Sequence, residues 1–241
     1  WTPNNFSVTA GAGNDSLIDT PTPYADGGNG RGNYCTLNPL HRTNSATAPN
    51  NGNLTSPANA GAWRRIGATM QLPTTGKWYF EYNCDSFSSF ATFNIGVFSG
   101  NLDTASNNPG YLATEWMYDG QNGYAINNNT SISSGFTTAT TNDVLQLAYD
   151  ADTGKIWFGK NNTWQGASSP NPATGTSATY SGVYNVTPLI VQNWATQSVN
   201  FGQRPFAYTP PSGFVALNTQ NLPEPSIKKP SSYMDVLTWS G

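Results

Sequence analysis

Histidine is all but missing from this chain: His41 is the only one in 241 residues. A Ser–His–Asp relay needs an imidazole within reach of a nucleophile and oriented by a third group. His41 lies among polar residues, and no Gly-x-Ser-x-Gly elbow occurs. It reads as a solvated loop residue, and no residue is assigned a catalytic role. Cysteine is almost as scarce. Cys35 and Cys84, with one His, leave too few soft ligands for a structural zinc site. The pair reads as two buried thiols, with a single disulfide as the alternative in an oxidising compartment. Charge is thin as well, at 10 % Asp, Glu, Lys and Arg against about 25 % in ordinary soluble domains. The ten basic residues form no stripe, and the net charge is −3, so nucleic acid is excluded as a partner. No run of eighteen apolar residues is present to span a membrane, and no signal peptide is visible.

Asn, Thr, Ser and Gly fill the places that charge leaves empty, and aromatics reach 13 % with eight Trp. Uncharged polar surfaces of this kind suit extracellular or virion proteins, where repeated like charges would repel. Helical periodicity is lacking. The chain carries 24 Gly and 17 Pro, which punctuate it into short strands and turns.

Residues 1–75 read as a loop-rich N-terminal extension that packs on the main domain, with Arg64–Met70 as a strand inside it. From Lys77 the alternation sharpens. Trp78, Phe80, Tyr82 and Cys84 share one face of a strand; Phe93, Ile95 and Val97 repeat the pattern. Leu145, Leu147 and Tyr149 line a third strand, which turns at Asp150–Gly154 into Lys155–Phe158 as a hairpin. Pro188–Val191 reads as a fully buried strand, and Val199 and Phe201 point inward from another. The pattern predicts antiparallel sheets packed face to face. Six prolines between Pro205 and Pro230 mark a tail, 218–241, that returns to strand composition at Tyr233–Trp239. A chain that starts at Trp1 and stops just after a strand is expected to be a piece with a further module following.

Five segments, in order, resemble the SPRY family. They are Gly76–Tyr82, Asn94–Val97, Gly123–Asn128, the hairpin from Asp143–Asp150 to Gly154–Phe158, and Pro188 through Val199–Phe206. The resemblance covers residues 76–217 and implies a bent, concanavalin-like antiparallel β-sandwich. Trp1–Ala10 and Pro223–Lys228 are similar to the flanks of SPRY modules in tailed-bacteriophage virion proteins. That implies a non-enzymatic module of a tail fibre, appendage or capsid fibre, on the virion surface and extracellular. Its expected partners are other virion proteins and a host-surface glycan or protein, with a trimer as the implied assembly. Residues 1–75 have no counterpart in the animal members of the family, and the long stretch from Ser99 to Asp119 is unusual for it.

Two other readings stand beside this one. A decoration protein would join virion parts without a separate ligand. A glycan-degrading enzyme would need paired carboxyls about 5–5.5 Å apart if retaining, whereas Glu81 stands alone and Glu115 and Asp119 are four apart. Asp150 and Asp152 resemble the start of a calcium loop, but the following ligands are missing, so they read as caps of a hairpin turn. The Gly cluster at 27–32 lacks the Lys-Ser/Thr of a phosphate loop. No metal and no cofactor is expected. The candidate ligand-binding residues are the aromatics in or beside loops: Tyr111, Trp116, Tyr118, Tyr124 and Trp164. Flanked by Asn and Gln, they suit stacking on sugar faces or a protein interface.

Overall fold

The computed structural model describes residues 33–43, 46–58, 61, 63–87, 91–102 and 112–222. No helix occurs among them. The strands are β1 (Leu37–Arg42), β2 (Thr55–Ser56), β3 (Arg64–Ala68), β4 (Lys77–Ser86), β5 (Thr92–Ser99), β6 (Glu115–Asp119) and β7 (Tyr124–Asn127). They continue as β8 (Thr130–Ile132), β9 (Val144–Asp150), β10 (Lys155–Lys160), β11 (Thr163–Trp164), β12 (Val186–Asn193), β13 (Thr196–Asn200) and β14 (Val215–Ala216). The first sheet runs β1-β3-β12-β5-β6-β7-β8 and the second β11-β10-β9-β4-β13-β2, with β14 added to β4. Every ladder is antiparallel except β14 with β4. The expected antiparallel β-sandwich is the fold. Strands β1–β3 come from before residue 76, so the sheets take in chain from both sides of that position.

Side-chain alternation sets the core. Phe80, Tyr82 and Cys84 of β4, Phe93, Ile95 and Val97 of β5, and Leu145, Leu147 and Tyr149 of β9 all enter one cluster between the sheets. Each fully buried aliphatic or Phe side chain there contributes about 1.5–3 kcal/mol. Phe80 and Phe201 tilt together at 5.2 Å. Cys35 and Cys84 are free and buried. Trp78 and Trp157 are buried, whereas Trp194, in the β12–β13 turn, is 50 % exposed.

The first sheet is covered on its other face too. Phe98, Met117, Ile126, Leu189 and Val191 form a separate cluster there, which is why β12 reads as a continuous apolar run. His41 is not in a loop. It belongs to β1 and packs edge-on against Phe98 at 5.2 Å. Polar neighbours and Pro39 hide this strand in the sequence. On the same covered face Arg65 and Glu115 form an ion pair, Nε to Oε1 2.6 Å, with side chains 0 % and 2 % exposed.

The β9–β10 hairpin follows its sequence. Asp150 Oδ1 accepts from the backbone N–H of Asp152 (3.0 Å) and Thr153 (3.3 Å). Gly154 takes φ +63°, and a Cβ there would lie 2.6 Å from the Tyr184 ring. Both acids cap backbone amides, since Asp152 Oδ1 accepts from Gly76 N–H at 3.0 Å.

Candidate binding cleft

One row of cross-strand neighbours builds the site. Asn94 of β5 pairs with Asp119 of β6, and Asp119 pairs with Tyr124 of β7. Ile95 and Val97 point into the sandwich, so alternation turns this row to the opposite face. Beyond the row, the β6–β7 turn Gly120–Gly123 folds back tightly. Gly123 N–H donates to Asp119 O at 2.9 Å. Gly123 has φ +72°, and a Cβ there would meet Thr137 and Thr138 backbone at 2.8 Å. Trp63 arrives from the residue before β3.

Together they bound a cleft of about 240 Å³, lined by Trp63, Thr92, Asn94, Asp119, Gln121, Asn122, Tyr124, Ile126, Asn129 and Ser131. Trp63 and Tyr124 supply apolar ring surface and are anchored on the outer cluster of the first sheet. Trp63 Nε1–H donates to Thr92 Oγ1 (3.1 Å), which in turn donates to Gln121 Oε1 (3.3 Å).

Asp119 is the hub of the polar floor. Its Oδ1 accepts from the backbone N–H of Gln121 (3.0 Å) and of Asn122 (3.1 Å). The Asn94 amide nitrogen donates to the same oxygen at 3.1 Å. Oδ2 accepts from Asn122 Nδ2 at 2.9 Å. Asp119 is the only charged residue among the described side chains that line the cleft. A second cavity, about 290 Å³ beside Ile132, Phe136 and Ala178, has hydroxyls among its described lining residues but neither a carboxylate nor a side-chain amide.

Of the five aromatics singled out in the sequence, Tyr124 lies in this cleft. Tyr118 is fully buried in the core between the sheets, edge-on to Phe136 at 5.2 Å. Its hydroxyl donates to Thr137 O at 2.5 Å, and burial pushes its pKa up to about 12. Trp116 is partly buried against the same core, and Trp164 against a cluster on the outer face of the second sheet. Tyr111 lies outside the described residues. Trp63, Asn94, Asp119, Gln121 and Asn122 were not singled out. The available signal was the Asp-Gly-Gln-Asn-Gly turn between two tyrosines.

Among the described residues no group of three or more His, Cys, Asp or Glu is placed to hold a metal ion. No helix of the described residues is long and apolar enough to cross a membrane.

No protein-family model matches the sequence, and no curated protein matches it. The fold does match solved structures. The SPRY domain of human HERC1 superposes with a TM-score of 0.55 at 14 % identity, covering 70 % of this chain and 99 % of that domain. A second human SPRY domain gives a TM-score of 0.47 at 17 % identity, covering 63 % of this chain and 92 % of that one. The likeness is one of fold, and the architecture is the SPRY sandwich.

Proposed function

We propose that this chain is a non-enzymatic binding module of a bacteriophage virion surface protein, and that it recognises a host-surface glycan. The observation that carries this reading is the cleft with two aromatic walls and an amide-rich floor. Ring faces stack on the C–H faces of a pyranose, while amides and a carboxylate exchange hydrogen bonds with its hydroxyls. Few polar groups at fixed positions inside an apolar frame are the usual chemistry of a small-ligand site. The virion setting rests on the resemblance of the chain's ends and on its low charge.

The enzyme reading draws less support. Glu115 and Asp119 sit four residues apart on β6, a separation of about 13 Å at ~3.3 Å per residue. Glycosidase pairs work at about 5–9.5 Å. Glu115 is engaged by Arg65, and Asp119 by four N–H donors.

The test is binding of the purified chain to bacterial envelope fractions and to arrayed glycans. Saturable binding is expected. Trp63→Ala and Tyr124→Ala should each weaken it at least about tenfold, as buried aromatic anchors do. Trp194→Ala, in an exposed turn, should leave it unchanged. Wild-type affinity in both cleft variants overturns the assignment of the site. Absence of binding to every fraction moves the reading to a decoration protein without a ligand of its own.

A further inference from the structure

We infer that the cleft selects an uncharged hexopyranose residue, hydroxylated or N-acetylated, and rejects sugars that carry a carboxylate, with Asp119 as the specificity-determining side chain. The inference rests on the glycan-binding reading above and gives it a chemical class.

Asp119 has little hydrogen-bonding capacity left. Four N–H groups already point at its two oxygens: three at Oδ1 and one at Oδ2. A carboxylate has about four lone-pair sites and is acceptor-only. With three donors crowded on Oδ1, the remaining capacity is on Oδ2. Whatever enters beside it must bring a donor, which a sugar hydroxyl or an acetamido N–H does and a carboxylate does not.

Charge points the same way. Among the described residues no Lys, Arg or His lines the cleft, and Asp119 is 7 % exposed. An entering carboxylate would meet a like charge in a place with little water and, among the described lining residues, no cation to offset it. Like-charge juxtaposition across an interface suppresses the wrong partner strongly, on the order of 100-fold or more. The four donors on Asp119 are spent on Asp119, so they are not free to receive a second carboxylate.

The remaining polar groups fit a neutral ring. The Gln121 side-chain nitrogen has no partner among the described residues, and Asn129 and Ser131 line the exposed lip. They offer both donors and acceptors to hydroxyls. The volume, about 240 Å³, is below the ~300–1,000 Å³ of sites for drug-sized ligands. It suits one terminal sugar residue rather than a chain segment.

The experiment uses the full chain on an array of glycans ending in neutral hexoses, N-acetylhexosamines, uronic acids and sialic acids, alongside Asp119→Asn. Wild type is expected to bind one or more neutral termini at least about 100-fold more tightly than any carboxylated one. In Asp119→Asn the amide oxygen stays with the three donors and its NH₂ replaces the accepting Oδ2. The neutral-to-acidic ratio should then collapse to below about tenfold. Uronic or sialic termini binding wild type as well as neutral ones overturn this inference and leave the glycan-binding reading standing. An array blank for every class overturns the glycan-binding reading itself. The wild-type contrast decides the matter even where the variant fails to fold, which a thermal melt reports.

Discussion

Removing one partner of the Arg65–Glu115 pair should damage this protein more than removing both. The two side chains meet as a fork, Nε to Oε1 at 2.6 Å and Nη2 to Oε2 at 3.3 Å, and both are buried. Arg65 lies on β3 and Glu115 on β6, with β12 and β5 between them in the sheet. The pair therefore ties the strand that follows Trp63 to the strand that ends in Asp119, the two sides of the cleft. Each charge lost water on folding and is offset in part by the opposite charge of the other. Arg65→Met or Glu115→Gln strands the other charge, at a cost of about 3–5 kcal/mol. For a chain of this size that is a fall in Tm of roughly 6–20 °C. Arg65→Met with Glu115→Leu removes both charges and keeps the apolar volume, so it should lie within about 1–2 kcal/mol of wild type on either side. Urea denaturation of the four proteins gives the coupling energy directly. Singles within about 1 kcal/mol of wild type, or a double as unstable as the sum of the singles, would refute the reasoning.

Three further outcomes are expected. Glu81 is buried and accepts from Tyr79 Oη–H (2.8 Å) and from the backbone N–H of Ala207 (2.8 Å) and Tyr208 (2.9 Å). Glu81→Gln puts an NH₂ where one of those donors must bond, so stability should fall by about 2–4 kcal/mol, read as a lower urea midpoint. Stability should also fall in alkali. Burial pushes Tyr118 and Tyr149 from 10.0 up to about 12, and Cys35 and Cys84 from 9.0 up to about 12. Above pH ~9 the unfolded chain sheds protons that the folded one keeps. The stability that is complete below that pH is lost as it rises towards 12, by up to about 1.4 kcal/mol per pH unit per group. Urea midpoints that stay level from pH 9 to 11.5 would contradict this. Tyr118→Phe removes the hydroxyl donated to Thr137 O and should cost about 1–2 kcal/mol while leaving glycan affinity unchanged. A loss of binding without a loss of stability would make Tyr118 a ligand contact after all.

The strands whose two faces differ were legible from the sequence. In β4, β5 and β9 the alternating aromatics and aliphatics are the residues that fill the core. Strand β6 was not legible. Glu115, Met117 and Asp119 face the covered outer side, and acids at both ends of a strand look like surface. Only the register shows that Glu115 meets Arg65 from another part of the chain. The same reason misplaced Trp116 and Tyr118 beside loops. Tyr124 was visible as an aromatic in a polar setting, and it does face the cleft. Trp63 follows a small-residue stretch with nothing to mark it, and Asn94 and Asp119 are cross-strand neighbours 25 positions apart. No local pattern encodes that kind of adjacency. It follows from which strand pairs with which.

A carboxylate and an indole in a cleft must be held before any ligand arrives, and here both are. Asp119 is held by Gln121, Asn122 and Asn94, and Trp63 by Thr92. Little reorganisation is left to oppose binding, so affinity is limited by size rather than by order. A hexose has about 12 non-hydrogen atoms. At ~0.3 kcal/mol per atom its binding is about −4 kcal/mol, a Kd near 1 mM. A module with one such cleft holds a cell only if several clefts act together. Linking sites raises avidity by about 10²–10⁴ where geometry lets them engage at once, and a trimer would provide that. Calorimetry with a free monosaccharide should therefore give a millimolar Kd, while the same sugar displayed densely on a surface should be held at micromolar or tighter. A free monosaccharide bound at micromolar Kd would show that the cleft makes contacts beyond one sugar ring. Equal affinity for free and displayed sugar would mean that the clefts work singly.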